Sequence, residues 1–326
     1  MKTYLFIFLA VASLMVFGAI VVSVIVDPYR IVHPLIGQFY LEPNSRVAKV
    51  KYLSRNCYQF DSYFVGDSRS ALLSERDLAN VQGGRFYNFA TLSDDIESIV
   101  RRLKFVIGKG CPISTVVVGD SIDALLDEPG KRAYSLLLSE HPDVSGENRI
   151  EFYSKYFLGA QALISFARAL HLNASPIVRY HPDGHAEYLF GMEDGTAFAL
   201  QRCQASPLQT SDRKLLFDRL PGYREIAKMS LRYHFKVIVW IAPLNTLRSR
   251  ILDDPIVKDY LQELRAIPDL PVVEADRNSP LLLDFHNWHD CGHFRAVIFD
   301  QLVAPGISRL LKDSEAQGVP GDAESR

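Results

Sequence analysis

The chain opens on an unbroken apolar run. From Tyr4 to Val26 there is no charged residue, and Leu, Ile, Val, Phe and Ala dominate. At about 1.5 Å of rise per helical residue, such a run spans roughly the 30 Å hydrocarbon core of a bilayer. It continues through Val24-Ile25-Val26 and stops at Asp27-Pro28 without an Ala-x-Ala site, and no cysteine follows in a lipobox position. Residues 1–27 therefore read as an uncleaved signal anchor rather than a cleaved signal peptide. Residues 28–57 mix polar and apolar positions around Pro34 and Pro43 and read as a stalk.

Beyond the stalk the pattern alternates between two periods, which predicts an α/β domain over residues 58–312. Tyr58 to Val65 predicts a first strand, Ala71 to Leu78 a helix, and Arg85 to Ala90 a short second strand. In Ser93 to Ile107, the residues Ile96, Ile99, Val100, Leu103 and Ile107 recur on one helical face. Ser93 is the expected cap, Asp94 and Asp95 fall in the positive first turn, and Gly108 is the stop. The β-branched run Ser114 to Gly119 predicts the next strand, so strand, helix and strand imply a parallel, right-handed crossover.

Residues 121–225 break this rhythm and read as an insertion. They hold a helical piece (Tyr153 to Leu170) and a hairpin turning at Pro182-Asp183-Gly184. After a helix at Glu225 to Tyr233 the sheet resumes with Phe235 to Ile241, an amphipathic helix (Ile256 to Ile267) and a last strand (Leu270 to Ala275). A closing helix, Phe294 to Val303, is expected to end at Pro305-Gly306, and residues 313–326 read as a disordered polar tail.

Composition removes several function classes. The formal net charge of −2 and the lack of any basic block leave nucleic-acid binding without an electrostatic footprint. Four cysteines (Cys57, Cys111, Cys203, Cys291) are too scattered for a disulfide framework, although one or two bridges are possible in an oxidising compartment and their pairing is not readable. No CxxC occurs, which argues against a thiolate zinc site or a redox dithiol, and no cofactor is implied. Lys2 alone precedes the anchor while Arg30, Arg46, Lys49 and Lys51 follow it, so charge does not set the orientation.

Two short runs carry candidate chemistry. Val65-Gly66-Asp67-Ser68-Arg69-Ser70 places the Ser68 hydroxyl on a strand-to-helix turn, at the carboxyl edge where open α/β sheets bind ligands. Asp67 reads as a turn residue bonding local amides. Asp290-Cys291-Gly292-His293 sets a carboxylate three residues before a histidine, so that Asp290 could orient His293 and His293 could activate Ser68. The rival for this second region is a metal site from His286, His289 and His293 with Asp284 or Asp290; its spacing matches no zinc template, and no metal is assigned. His286 and Trp288 read instead as lining a substrate entrance. His181 and His185 read as a solvated hairpin.

The GDS block with Ser68, the short strand ending at Tyr87-Asn88 and the late Asp-x-x-His-Phe together resemble the SGNH (GDSL-type) hydrolase superfamily. The likeness is to its membrane-anchored bacterial branch, which includes alginate O-acetyltransferase-like proteins and the D-alanyl transfer protein of teichoic acid synthesis. It covers residues 58–120 and 235–311. It implies a flavodoxin-like three-layer sandwich with a central parallel sheet, with Ser68 as nucleophile, His293 as base and Asp290 as its orienting acid. It also implies an extracytoplasmic acyl-ester transferase or esterase, held by its anchor at the bacterial inner membrane with its domain in the periplasm. The substrate would be a cell-envelope or exported polysaccharide, and a multi-pass membrane acyltransferase a possible partner.

The chain departs from the family pattern at two places. Asn88 to Ser93 lacks the second-block glycine, and the third-block G-x-N-D reads Gly119-Asp120-Ser121, where an ionised aspartate donates nothing. The expected oxyanion hole is therefore the Ser68 and Arg69 backbone amides, with Asn88 or Ser121 as side-chain donors. Arg69 is also a candidate for holding an anionic substrate group. The same departures support an alternative: an inactive accessory protein of this fold that binds glycan or an acyltransferase partner.

Overall fold

The computed structural model describes residues 2–74, 84–122, 136–158, 176–189, 210–290 and 292–316. Helix α1 (Lys2–Val26) is long and apolar enough to cross a membrane, a test that an N-terminal signal sequence also passes. Asp27 ends it. Its carboxylate accepts the amides of Ile31, Val32 and His33 at 2.7–2.8 Å, which turns the chain directly into folded structure.

No free stalk follows. Residues 28–57 form strand β1 (Gly37–Phe39) and helix α2 (Ser45–Asn56), and α2 buries Val47, Val50 and Leu53. This corrects the expected stalk. The apolar residues of α2 pack on the domain, and its basic residues, discussed below, find buried acceptors there.

The domain core is a five-stranded, fully parallel sheet flanked by helices. Its strands are β2 (Ser62–Val65), β3 (Phe86–Asn88), β4 (Thr115–Asp120), β7 (Lys236–Ile241) and β8 (Val272–Glu274), in the order β3-β2-β4-β7-β8. This is the 2-1-3-4-5 order of flavodoxin-like folds, whose switch point lies between the first and third strands. Alternate strand residues serve opposite faces. Tyr63, Val65, Val116, Val118, Val237 and Val239 join one apolar cluster, together with helices α3 (Ile96–Gly108), α6 (Leu220–Tyr233) and α7 (Pro255–Arg265). Phe64, Val117, Ile238 and Trp240 face the other cluster, covered by the chain from Leu282 to Leu311. A disulfide, Cys57–Cys111, ties the end of α2 to the approach to β4.

A second, antiparallel sheet has the order β1-β5-β6, with β5 (Val178–Tyr180) and β6 (Ala186–Tyr188) forming the expected hairpin. The pairing of β1 with β5 joins the segment after α1 to residues 178–180 of the insertion. The insertion also contains α4 (Arg149–Phe157) and α5 (Thr210–Phe217).

Several element bounds differ from expectation, each for a local reason. Asp95, rather than Ser93, caps α3, accepting the Ser98 amide at 2.7 Å. Asp94 has turned inward to pair with Arg102 and is unavailable to the first turn. After Ser68 the described residues hold one helical turn, Ser70–Leu72, and residues 75–83, with the rest of the expected helix, lie outside the described part of the chain. Pro305 does not end the closing helix. A π-helical stretch, Phe299–Val303, precedes α8 (Ala304–Ala316), and such a widened turn accommodates a residue without an N–H. The helix thus covers the first residues of the expected tail, and 317–326 lie outside the described residues, as do 159–170 of the expected Tyr153–Leu170 helix.

Candidate active site

The site is built where β2 ends. Gly66 takes φ +144°, a conformation closed to side-chain-bearing residues, and a Cβ there would meet Ser70 Oγ at 2.3 Å. This sharp exit from the strand presents Ser68. Asp67 is buried and accepts the Arg69 amide on Oδ1 at 3.0 Å, which holds the turn. Ser68 is only half-buried between buried neighbours, at the carboxyl edge of the sheet.

His293 reaches that hydroxyl from the far end of the sequence. His293 Nε2 lies 2.8 Å from Ser68 Oγ, and His293 Nδ1 lies 2.7 Å from Asp290 Oδ2. The loop is fixed from within, because Asp290 Oδ1 accepts the amides of Gly292 and His293, both at 2.7 Å. Burial pushes the Asp290 carboxyl up. The His293 hydrogen bond and charge, with those two amides, outweigh burial and hold it well below the usual carboxylate range. The structure therefore joins Ser68, His293 and Asp290 into one hydrogen-bonded chain, in which an ionised carboxylate sets the tautomer that leaves Nε2 facing the hydroxyl.

The expected oxyanion donors are mostly committed elsewhere. The Arg69 amide points at Asp67, as above. Both hydrogens of the Asn88 amide group go to backbone carbonyls, Ser70 and Leu73 at 2.7 Å each, and its oxygen accepts the Ala90 amide. The expectation of Asn88 as a donor is corrected: it ties the Ser68 turn to the end of β3. Ser121 is buried just beyond β4. The Ser68 amide has no acceptor among the described residues.

Asp120, at the end of β4, is fully buried. It accepts the Tyr260 hydroxyl at 2.6 Å and is paired with Arg219. Burial would lower the Arg219 pKa, but the Asp120 charge overrides it and keeps the guanidinium protonated.

The remaining expected contacts divide. Arg69 is buried rather than on the surface, and a Cβ on Gly292 would lie 2.7 Å from its guanidinium, so glycine there lets the histidine loop close over it. Trp288 does not line an entrance. It is 1% exposed, edge-on to Phe294, inside the apolar cluster beneath the closing helix, which corrects that expectation. His286 stands in solvent against Asp284 at 2.9 Å. Among the described residues no group of three His, Cys, Asp or Glu is placed to hold an ion.

Two neighbours of the site escaped the sequence reading. The Tyr188 ring, on β6, packs 5.3 Å from the His293 ring. Glu42 accepts the Tyr180 hydroxyl at 2.8 Å. Burial pushes its carboxyl up to about 7, while Tyr180 and the Lys49 and His293 charges pull the other way. The alternation Val178, Tyr180 and Ala186, Tyr188 was the available signal, since it gives the hairpin one inward face. The loop after β3 is clamped from α2: Lys49 Nζ donates to Ala90 O at 2.6 Å, and Arg46 donates to Ser93 O at 2.9 Å and to Glu140 at 2.8 Å.

No protein-family model and no curated protein matches the chain. Among solved structures it is similar to one described as "a putative platelet activating factor from Streptococcus pneumonia", at 9% identity, over 81% of this chain and 90% of that one, with a TM-score of 0.41. At that score the likeness bears on neither residue roles nor activity.

Proposed function

We propose that the chain is a serine-dependent acyl-ester transferase or esterase of SGNH type, acting outside the cytoplasmic membrane on a cell-envelope or exported polysaccharide. The observation that carries this reading is the Ser68–His293–Asp290 chain, with hydrogen bonds of 2.8 and 2.7 Å at the carboxyl edge of a parallel sheet. Ser68 Oγ attacks the ester carbonyl as His293 Nε2 takes its proton. The ester C–O bond then breaks, and the imidazolium returns that proton to the departing alcohol. A sugar hydroxyl or water, deprotonated by the same nitrogen, releases the acyl group from Ser68. The Ser68 amide is the oxyanion donor.

The extracytoplasmic placement is supported by α1 and by the Cys57–Cys111 bridge, a bond that persists in oxidising compartments. Tethering near a membrane-borne acyl supplier, such as a multi-pass acyltransferase, raises the effective concentration of the two partners. A second reading, an accessory protein without turnover, draws on the commitment of the Arg69 amide and Asn88 side chain to internal acceptors.

The full-length protein, assayed with an aryl acetate with and without a polysaccharide acceptor, separates these readings. Release of the phenol that disappears in Ser68→Ala supports catalysis, and acetyl on the glycan identifies transfer. A folded wild-type protein with neither product leaves the accessory role.

A further inference from the structure

We infer that α4 is an interfacial helix that rests on the lipid surface beside the point where α1 leaves the bilayer. The inference depends on α1 being retained as a membrane span and is independent of the chemistry at Ser68.

The helix has three sectors. Phe152 and Tyr156, one turn apart, point into a small core with Tyr29, Ile31 and Val47. Glu151, Ser154 and Lys155 form a polar sector. Between these lie Ile150, Tyr153 and Phe157, at the i, i+3, i+7 spacing of one stripe. Ile150 is 83% exposed, and Tyr153 and Phe157, whose rings stack at 6.1 Å, are only half-buried. Tyr153 and Phe157 pack on the edge of that same core without being covered by it, so the apolar sector of the helix is wider than the domain encloses and ends at exposed Ile150.

Position says what covers it. α1 has 25 residues, which at about 1.5 Å each gives about 38 Å, against roughly 30 Å of hydrocarbon. Its last turns therefore emerge at head-group depth. There Ser23 is buried, and α1 packs against α4. Asp27 then turns the chain within one residue of the end of α1, so no linker lifts the domain away. The stripe is thus held at the depth where Tyr side chains favour the membrane interface and amphipathic helices embed. Val32 and Ile36, just after the turn, are also exposed apolar residues.

The test uses the full chain in protein-free nanodiscs of phosphatidylcholine, plain or brominated. The two native tryptophans, Trp240 and Trp288, are buried in the domain and give a constant background. Ile150→Trp should add emission that brominated lipid quenches, whereas Lys258→Trp, at an exposed position of α7, should add emission that it does not. Equal emission of Ile150→Trp in both lipids overturns the inference, as does intact mass showing that α1 has been removed. Protection of this position in cells but not in nanodiscs would also overturn it, in favour of a protein partner.

Discussion

Two corners of the same sheet edge make the informative comparison. β2 and β4 are paired neighbours, and each ends in a carboxylate-bearing polar cluster: Ser68, His293 and Asp290 at one, and Asp120, Arg219 and Tyr260 at the other. At the first, a half-buried serine ends a hydrogen-bonded relay. At the second, the aspartate is fully enclosed and its charge is spent on a guanidinium and a phenol. The difference is one of remaining valence. A relay that ends in an accessible hydroxyl can act on a ligand, while a closed ion pair can only hold strands and helices together.

The comparison is broken most severely at Ser68. Ser68→Ala should lower aryl acetate turnover by on the order of 10⁶-fold with no change in the thermal midpoint, since loss of a nucleophile leaves only binding and oxyanion stabilisation. Asp290→Asn should cost about 10⁴-fold in kcat, because the amide reverses the preferred tautomer of His293 while preserving the loop's shape. The depressed Asp290 pKa adds a sign: the carboxylate stays ionised down to strongly acid pH, so an acid limb in the rate profile near neutrality belongs to another group.

The second corner should respond in stability instead. Arg219→Met strands the Asp120 charge in the core and should cost about 3–5 kcal/mol in denaturant unfolding, largely recovered in the Arg219→Met, Asp120→Asn double variant. Turnover per folded molecule should be much less affected. If Arg219→Met abolished turnover at full stability, the division between the corners would fail.

The smallest effect is expected at Glu42. Its folded-state pKa is raised from 4.5 to about 7 by burial, so the neutral form is favoured, and its stabilisation is complete below pH 4.5 and lost as the pH rises through about 7. Glu42→Gln keeps an acceptor for Tyr180 and should flatten that part of the decline, seen as a smaller fall in thermal midpoint between pH 5 and pH 8.

The elements legible in the sequence were those set by local periodicity. The strands around Phe64, Val117 and Ile238 and the face of α3 follow from short apolar runs and a single helical period, patterns contained within each segment. Ser68 and the Asp290–His293 loop were legible because their residue types suit one chemistry at strand ends. Trp288 was misread because a tryptophan between histidines in a loop has no period, and only the closing helix shows it to be core. Asn88 was misread because its commitment to Ser70 and Leu73 carbonyls depends on a turn formed elsewhere. α2 was missed as part of the domain because Arg46 and Lys49 look solvated until their partners at Glu140 and Ala90, distant in sequence, are in place.

The central claim is that His293 activates the Ser68 hydroxyl. Treating the full-length protein with a fluorophosphonate and mapping the adduct by peptide mass tests it most directly. The account predicts one adduct, on Ser68, that is lost in His293→Ala while the fold survives. A folded wild-type protein that stays unlabelled, or labels equally without His293, would contradict it.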